Sequence, residues 1–325
     1  MLFAVGLLNH VKAIQSCIAE VHGEAVIDVR DLSLQVRLAG ESRRLRPQFI
    51  YALNGKRIYK PTLGREARGF IGWRPYEPRF WEATADKTVF KRRAESVGLR
   101  TPPAWHAPDA AVTRFIIKPR DSSFAQGIRG PFETIDENQP SHQLGETEFY
   151  EAFIPGRIAK AWYLDGELLV LELLPPAFVV GDGRTSLSDL ASRRSAQKLD
   201  QQALTWIVAS QGYRLNDVPA DGRRVVVDFR YASPYDPPAF ENLNVLPKLQ
   251  NTELVAQFRK AGALALPIIP ADLRHTTLIT MDAVVDTEGQ AWFLEMNSNP
   301  SVHPDAYPAL LRTMFGADLG MPKAS

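Results

Sequence analysis

The feature that most limits the fold is a pair of apolar runs near the C-terminal end, LITMDAVV and AWFLEMN, joined by DTEGQ. Two strand-like runs with so short a connection pair only as an antiparallel hairpin. In such a pair, residues opposite one another share a face, and so do residues two apart on one strand. If DTEG or TEGQ is a four-residue loop, Asp282 lies opposite or diagonal to Glu295, with Asn297 beside them. The same face is expected to carry Val284 and Phe293, which would leave the two carboxylates partly desolvated and mutually repelling unless a cation sat between them. Magnesium suits such a site, because it takes hard oxygen ligands and keeps open positions for phosphate. The plain alternative is a pair of solvated hairpin acids, and the hairpin alone leaves both readings open.

Any compensating charge has to be local. The 325 residues hold 38 Lys and Arg against 37 Asp and Glu, so no global field attracts a polyanion or a membrane surface, and neither nucleic acid nor a membrane is expected as a partner. Cys17 is the only cysteine, which excludes an internal disulfide and a multi-cysteine zinc cluster and makes a reducing, cytoplasmic setting the simplest one. The opening MLFAVGLLNH lacks a basic n-region and a small-residue cleavage site, and reads as a first buried strand or helix. LVLELLPPAFVV and AGALALPIIPA are cut by proline or charge well short of the roughly 20 residues a span needs.

The first 80 residues are rich in strand signals. In FIYAL-NG-KRIYKP, Asn54-Gly55 supplies the two positive-φ positions of a type I′ turn, and AKAWYL-DG-ELLVLEL repeats the device at Asp165-Gly166. GWRPYEPRFWE, punctuated by proline and aromatics, reads as a linker packed on a lobe surface. DKTVFKRRAESVG predicts a helix with Val89, Phe90, Ala94 and Val97 on one stripe, followed by a strand at RFIIKPR. Ser186 and Thr252 are expected to cap two further helices.

Two other stretches carry chemistry. In FIIKPRDSSFAQGIRGPF a strand delivers Lys118 and then dissolves into a polar loop, an arrangement that sets an ammonium over a phosphate and covers it with backbone N–H groups. The loop holds only Gly127 and Gly130, so Ser122 and Ser123 would donate from their side chains; taken alone, the stretch is better read as an ordinary surface loop after an edge strand. In YEAFIPGRIAKAWYLDGE a strand leads into a Pro-Gly kink that suits a hinge, where adenine would lie against Phe153 and Ile154; a packed β-connection is the alternative.

Taken in order, these segments resemble the ATP-grasp superfamily. ADKTVFKRRAESVGLRTPPAW is similar to its opening segment, IIKPRDSSFAQGI to its phosphate-covering loop, YEAFIPG to its adenine hinge and MDAVVDTEGQAWFLEMNSNP to its metal hairpin, while FVVGDGRTSLSDLA resembles a segment of cyanophycin synthetases and glutathione-forming ligases. The resemblance covers about Ala85 to Pro304. It implies an α+β, ATP-grasp fold with two lobes sandwiching ATP, a first lobe at 81–150 and a second at 151–325, preceded by a small strand-rich domain at 1–80. It further implies that Lys87 and Lys118 neutralise ATP phosphates, that Glu151, Ala152 and Phe153 meet the adenine, and that Asp282, Glu295 and Asn297 hold Mg2+. The implied reaction moves the γ-phosphoryl group of ATP to a substrate carboxylate, small-molecule or peptide, and lets an amine displace the phosphate to form an amide.

The chain also departs from that pattern. Thr280 stands where many relatives carry an arginine that steadies the oxyanion, which leaves Arg230 and Lys160 as catalytic candidates, although a solvated surface charge is the favoured reading of each. Ile158 stands near the place of a ribose-binding acid. The same fold leaves a phosphotransferase that stops at a phosphorylated product as a second activity, and Thr280 with the glycine-poor loop leaves a third reading, a nucleotide-binding or scaffolding protein without catalysis. His303, Arg193-Arg194 and Gly181-Asp182-Gly183 are read as structural, as a solvated helix face and as a tight turn.

Overall fold

The computed structural model describes residues 2–53, 56–109, 112–122, 125–195, 199–231, 233, 235, 243–249 and 251–316. Asn54-Gly55 and Ser123 lie outside them. The architecture is α+β. The opening apolar run is a helix, α1 (Leu2–Ala19), and five strands follow: β1 (Glu24–Ile27), β2 (Leu34–Leu38), β3 (Glu41–Leu53), β4 (Lys56–Lys60) and β5 (Ala67–Arg74). They make one antiparallel sheet in the order β1-β2-β3-β4, with β5 also on β3. Residues 72–74 of the expected surface linker are therefore the end of strand β5, and Trp73 and Arg74 are fully buried. Of the aromatics that suggested a linker, Trp73 and Tyr76 belong to the core beneath this sheet, while Phe80 is exposed.

Two helices come next, α2 (Glu82–Ala85) and α3 (Lys87–Ser96). Asp86 starts α3 by accepting from the N–H groups of Thr88 and Val89. A four-stranded sheet follows, built from β6 (Ala104–Trp105), β7 (Thr113–Pro119), β8 (Arg129–Thr134) and β9 (Glu148–Ala152) in the order β6-β9-β7-β8.

The second half is organised by β10 (Gly156–Leu164) and β11 (Glu167–Leu174), whose turn residues Asp165 and Gly166 have φ of +53° and +74°, the type I′ geometry that an Asp-Gly pair predicts. Then come β12 (Ala177–Val180), α4 (Leu187–Arg194, capped by Ser186), α5 (Gln201–Ala209), β13 (Arg224–Asp228), α6 (Leu246–Leu249) and α7 (Glu253–Ala265, capped by Thr252). The hairpin with the short DTEGQ connection is β14 (Ile279–Asp286) and β15 (Ala291–Asn297), and α8 (Tyr307–Phe315) is the last described helix. Strands β14 and β15 join the earlier hairpin in the order β11-β10-β14-β15.

This last sheet positions the site, because its two faces have different neighbours. Ala159, Ala161 and Tyr163 alternate toward a core shared with Phe90 of α3 and Phe258 of α7. Helix α3 thus takes its core from the 156–297 sheet, not from the strands that directly follow it. On the opposite face, Trp162 and Leu164 pack with Phe49, Trp73, Tyr307 and Leu310, so the N-terminal sheet, α1 and α8 share one core with this sheet. Beyond Trp162 that face carries Lys160 and Asp282, which line a cleft. No helix among the described residues is long and apolar enough to cross a membrane.

The helix face of this sheet is packed to contact at Gly262. A Cβ there would come 2.2 Å from the Gly166 carbonyl oxygen and 2.7 Å from the Tyr163 ring. Gly262→Ala is expected to destabilise the protein by about 1–3 kcal/mol, the usual range for overpacking a close contact. Urea unfolding checks this, and an unchanged midpoint would show that α7 sits off the sheet.

Candidate active site

The register of the sheet lines up four charged side chains. Lys160 pairs with Glu172 on one side and with Asp282 on the other, and Asp282 pairs with Glu295. The row Glu172, Lys160, Asp282, Glu295 therefore crosses all four strands. A second row, Val170, Trp162, Thr280, Asn297, runs beside it. Asp282 faces Glu295 across the hairpin, and the Asn297 amide lies 3.5 Å from the second Asp282 oxygen. Phe293 is not on this face. A bulge between Asp282 and Ala283 sets Phe293 opposite Ala283 in the core and lets Leu294 line the cleft.

The ionisation of the facing acids follows from their neighbours. Burial raises Asp282 to about 6; Lys160 pulls the other way and Glu295 reinforces the rise. Burial also works to raise Glu295, but Lys87 and then Lys118 outweigh it and hold this group down at about 2. One acid thus resists ionising beside the other, which is the condition a divalent cation relieves. Among the described residues no three His, Cys, Asp or Glu side chains cluster as a metal site. Two carboxylates and an amide fit magnesium, whose other ligands are normally water and phosphate oxygens.

Cations close in from three elements. Lys160 Nζ lies 2.5 Å from Asp282 Oδ1. Lys87, the first residue of α3, sets its Nζ 3.2 Å from Glu295 Oε2 and also donates to the Ser122 carbonyl. Lys118 comes from β7 and is buried. Backbone and side chain hold these two lysines in register: the Lys87 N–H donates to the Arg120 carbonyl, and the Arg120 guanidinium grips Asp86 Oδ2.

Glu151 takes a different part from the adenine contact that the resemblance implies. Its carboxylate, 1% exposed, lies 3.0 Å from Lys118 Nζ and 2.7 Å from Lys91 Nζ. It holds the ammonium of Lys118 in place. The N–H groups of Ala152 and Phe153 donate to the carbonyls of Pro103 and Arg114, so the hinge presents ring faces instead: Phe153 and Phe229 meet edge to face at 5.0 Å on the cleft wall. Ser122 lines the cleft, while Gly127, at φ +75°, folds the loop back against Pro119.

Neither Arg230 nor Lys160 is a solvated surface charge. Arg230 lines the cleft but is held by both oxygens of Asp228, at 2.8 and 2.9 Å. Thr280 is fully buried beside Asp282, and its hydroxyl has no hydrogen-bond partner among the described residues. Sequence reasoning missed Lys91, Glu172 and Tyr231. For Lys91 the signal was present, since it stands four residues after Lys87 and so on the same side of α3. It also missed Arg74, a buried guanidinium that donates to Asn299 Oδ1 at 2.9 Å and ties the N-terminal sheet to the segment after β15.

These groups surround a cleft of about 1000 Å³, room for a nucleotide and a second substrate. No protein-family model matches the chain. It is 26% identical over 172 residues to the glutathione biosynthesis bifunctional protein GshAB of Streptococcus thermophilus, an alignment covering 44% of this chain and 23% of that protein. The chain thus spans well under half of the curated relative it matches. Among solved structures it overlaps a bifunctional glutathione synthetase from Pasteurella multocida (TM-score 0.40, 14% identity, 93% of this chain and 43% of the other) and the ATP-grasp ligase PsnB bound to a minimal precursor (TM-score 0.35, 11% identity, 71% and 61%). The chain resembles ATP-grasp ligases.

Proposed function

We propose that the chain is an ATP-dependent carboxylate–amine ligase working through an acyl phosphate, with Mg2+ as its metal. What supports this reading most is one arrangement: facing acids Asp282 and Glu295, with Lys87, Lys118 and Lys160 gathered around the same cleft. A carboxylate is too poor an electrophile for amines until phosphate becomes its leaving group. Phosphoryl transfer needs little from a protein except alignment and neutralised charge.

In the first step an oxygen of the substrate carboxylate bonds to the γ-phosphorus as the bond to the β-phosphate oxygen breaks, and ADP leaves. Lys87 and Lys118 neutralise the phosphates, and Glu151 keeps Lys118 aimed at them. Asp282, Glu295 and Asn297 would hold the metal, which when bound would supply positive charge to the transferring phosphoryl group. In the second step the amine, once its ammonium form has lost a proton to solvent, bonds to the acyl carbon through its lone pair, phosphate departs with the electron pair of the broken C–O bond, and the nitrogen gives a second proton to the departing phosphate. Lys160 is the cation nearest the facing acids from within the sheet and takes the oxyanion role that Thr280 cannot fill. Phe153 and Phe229 offer apolar faces for the adenine. The likeness to a glutathione biosynthesis protein makes amino-acid and peptide substrates the first to try.

Incubation with ATP, Mg2+ and pools of amino acids and short peptides tests the reading. ADP and phosphate should accumulate only when a carboxylate and an amine are both present. ADP formed without an amine, together with a stable phosphorylated product, would replace the ligase by a phosphotransferase. No turnover and no thermal shift with ATP would leave a protein without this chemistry.

A further inference from the structure

The row of charges across the sheet does not end at the proposed metal site. Two strands further along it stands Glu172, which lines the same cleft and is 8% exposed. With neighbouring strands about 4.8 Å apart, its backbone lies about 10 Å from that of Asp282. Lys160 stands between the two, and its ammonium lies 2.5 Å from Asp282. The Glu172 carboxylate accepts the Tyr231 hydroxyl at 2.7 Å, and His303 Nε2 lies 3.9 Å from its other oxygen. The Asp305 N–H donates to His303 Nδ1, so the neutral ring carries its hydrogen on Nε2 and turns an N–H, not a lone pair, toward the acid. Aromatic faces lie beside it. Lys160 Nζ already lies 4.7 Å from the Tyr231 ring centre and 5.9 Å from that of Trp162, so these rings accept a cation beside them.

We infer that Glu172 receives the ammonium group of the amine substrate, with Tyr231 and Trp162 as its walls. This rests on the ligase reading and adds to it a substrate class, a primary amine that binds as its cation, and a place, the far side of Lys160 from the facing acids. The arrangement separates the two substrates by charge. Phosphates and the activated carboxylate gather at the lysines, while the incoming ammonium is drawn to a carboxylate one strand beyond Lys160. Tyr231 fixes the orientation of that carboxylate.

Hydroxylamine, small and uncharged at neutral pH, traps an acyl phosphate without needing an ammonium seat. Wild type, Glu172→Gln and Tyr231→Phe are each given ATP, Mg2+, the amino-acid pool and, separately, hydroxylamine. In Glu172→Gln the ratio of amide to hydroxamate should fall roughly tenfold to a hundredfold, through a raised KM for the amine, as expected when a charge-assisted contact is lost. Tyr231→Phe keeps the charge and should lower the ratio by roughly threefold or less. A ratio unchanged in Glu172→Gln, whether both products persist or fall together, overturns the inference. Saturation-transfer NMR of ethylammonium chloride with the nucleotide-free protein decides the matter without turnover. The signal should be present in the wild type, lost in Glu172→Gln and kept in Tyr231→Phe; no signal in the wild type, or equal signals in all three, overturns the inference. If the wild type makes neither hydroxamate nor ADP, the ligase reading has failed and the NMR result alone judges Glu172.

Discussion

Glu295→Gln is expected to lower ADP formation by about 10³-fold or more while barely moving the unfolding midpoint. The kinetic loss follows from charge. Glutamine keeps an oxygen opposite Asp282 but removes one of the two negative charges that would hold magnesium, and neutralising the transferring phosphoryl group is most of what such a site contributes. The stability change is small because two effects oppose each other. Lys87 loses a partner at 3.2 Å, but Asp282 loses the acid that resists its ionisation. A coupled ADP assay over a range of Mg2+ concentrations, read beside a thermal melt, checks both halves. Full activity in this variant would remove Glu295 from the metal site and the site from the mechanism.

The parts of the fold that could be read from the sequence are those set by local backbone chemistry. Asp165-Gly166 adopts the two positive-φ positions that its residues predict, and Ser186 and Thr252 cap the helices that follow them. The pairing of Asp282 with Glu295, expected from a four-residue loop, is reached by another route: Val285 faces Ala291 across five residues, and an extra residue further along β15 restores the match. The bulge at Leu294 turns Phe293 to the opposite face, and alternation of apolar and polar residues carries no mark of an extra residue in a strand.

What the sequence hid was everything set by pairing between distant strands. Lys160 reads as a solvated charge until β10 is known to lie against β14, which sets it beside a residue 122 positions away. Glu172 joins the site for the same reason. Trp73 and Arg74 read as linker because the proline and aromatic content of 72–82 suits a surface crossing, and only the pairing of β5 with β3 shows them buried. Glu151 sits where an adenine contact is expected from the order of segments. Its burial between two lysines follows instead from α3, which brings Lys91 to it, and from β7, which brings Lys118.

That buried triad carries the largest expected effect on stability. Glu151→Gln removes the one negative charge between the ammonium groups of Lys91 and Lys118, both 4% exposed, and leaves two like charges out of water. A loss of about 3–5 kcal/mol is expected, the range for breaking a buried ion pair from one side. Lys91 also donates to the Pro102 carbonyl at 2.8 Å and does not line the cleft, whereas Lys118 does. Adding Lys91→Met to the variant should therefore recover much of the stability, because it removes the unmatched charge at a position away from the nucleotide. The pH dependence has a definite sign. Burial works to raise Glu151, but Lys118 and Lys91 outweigh it and hold the group below its ordinary 4.5. A carboxylate depressed in the folded state stabilises fully above its unfolded pKa and loses that contribution as pH falls through the folded one. The wild type should thus lose stability on acidification below about pH 4.5, and Glu151→Gln should lack that component of the loss. Urea unfolding of the three proteins between neutral pH and pH 3 measures it. If Glu151→Gln is as stable as the wild type, Glu151 is not the counter-charge that aims Lys118 into the cleft.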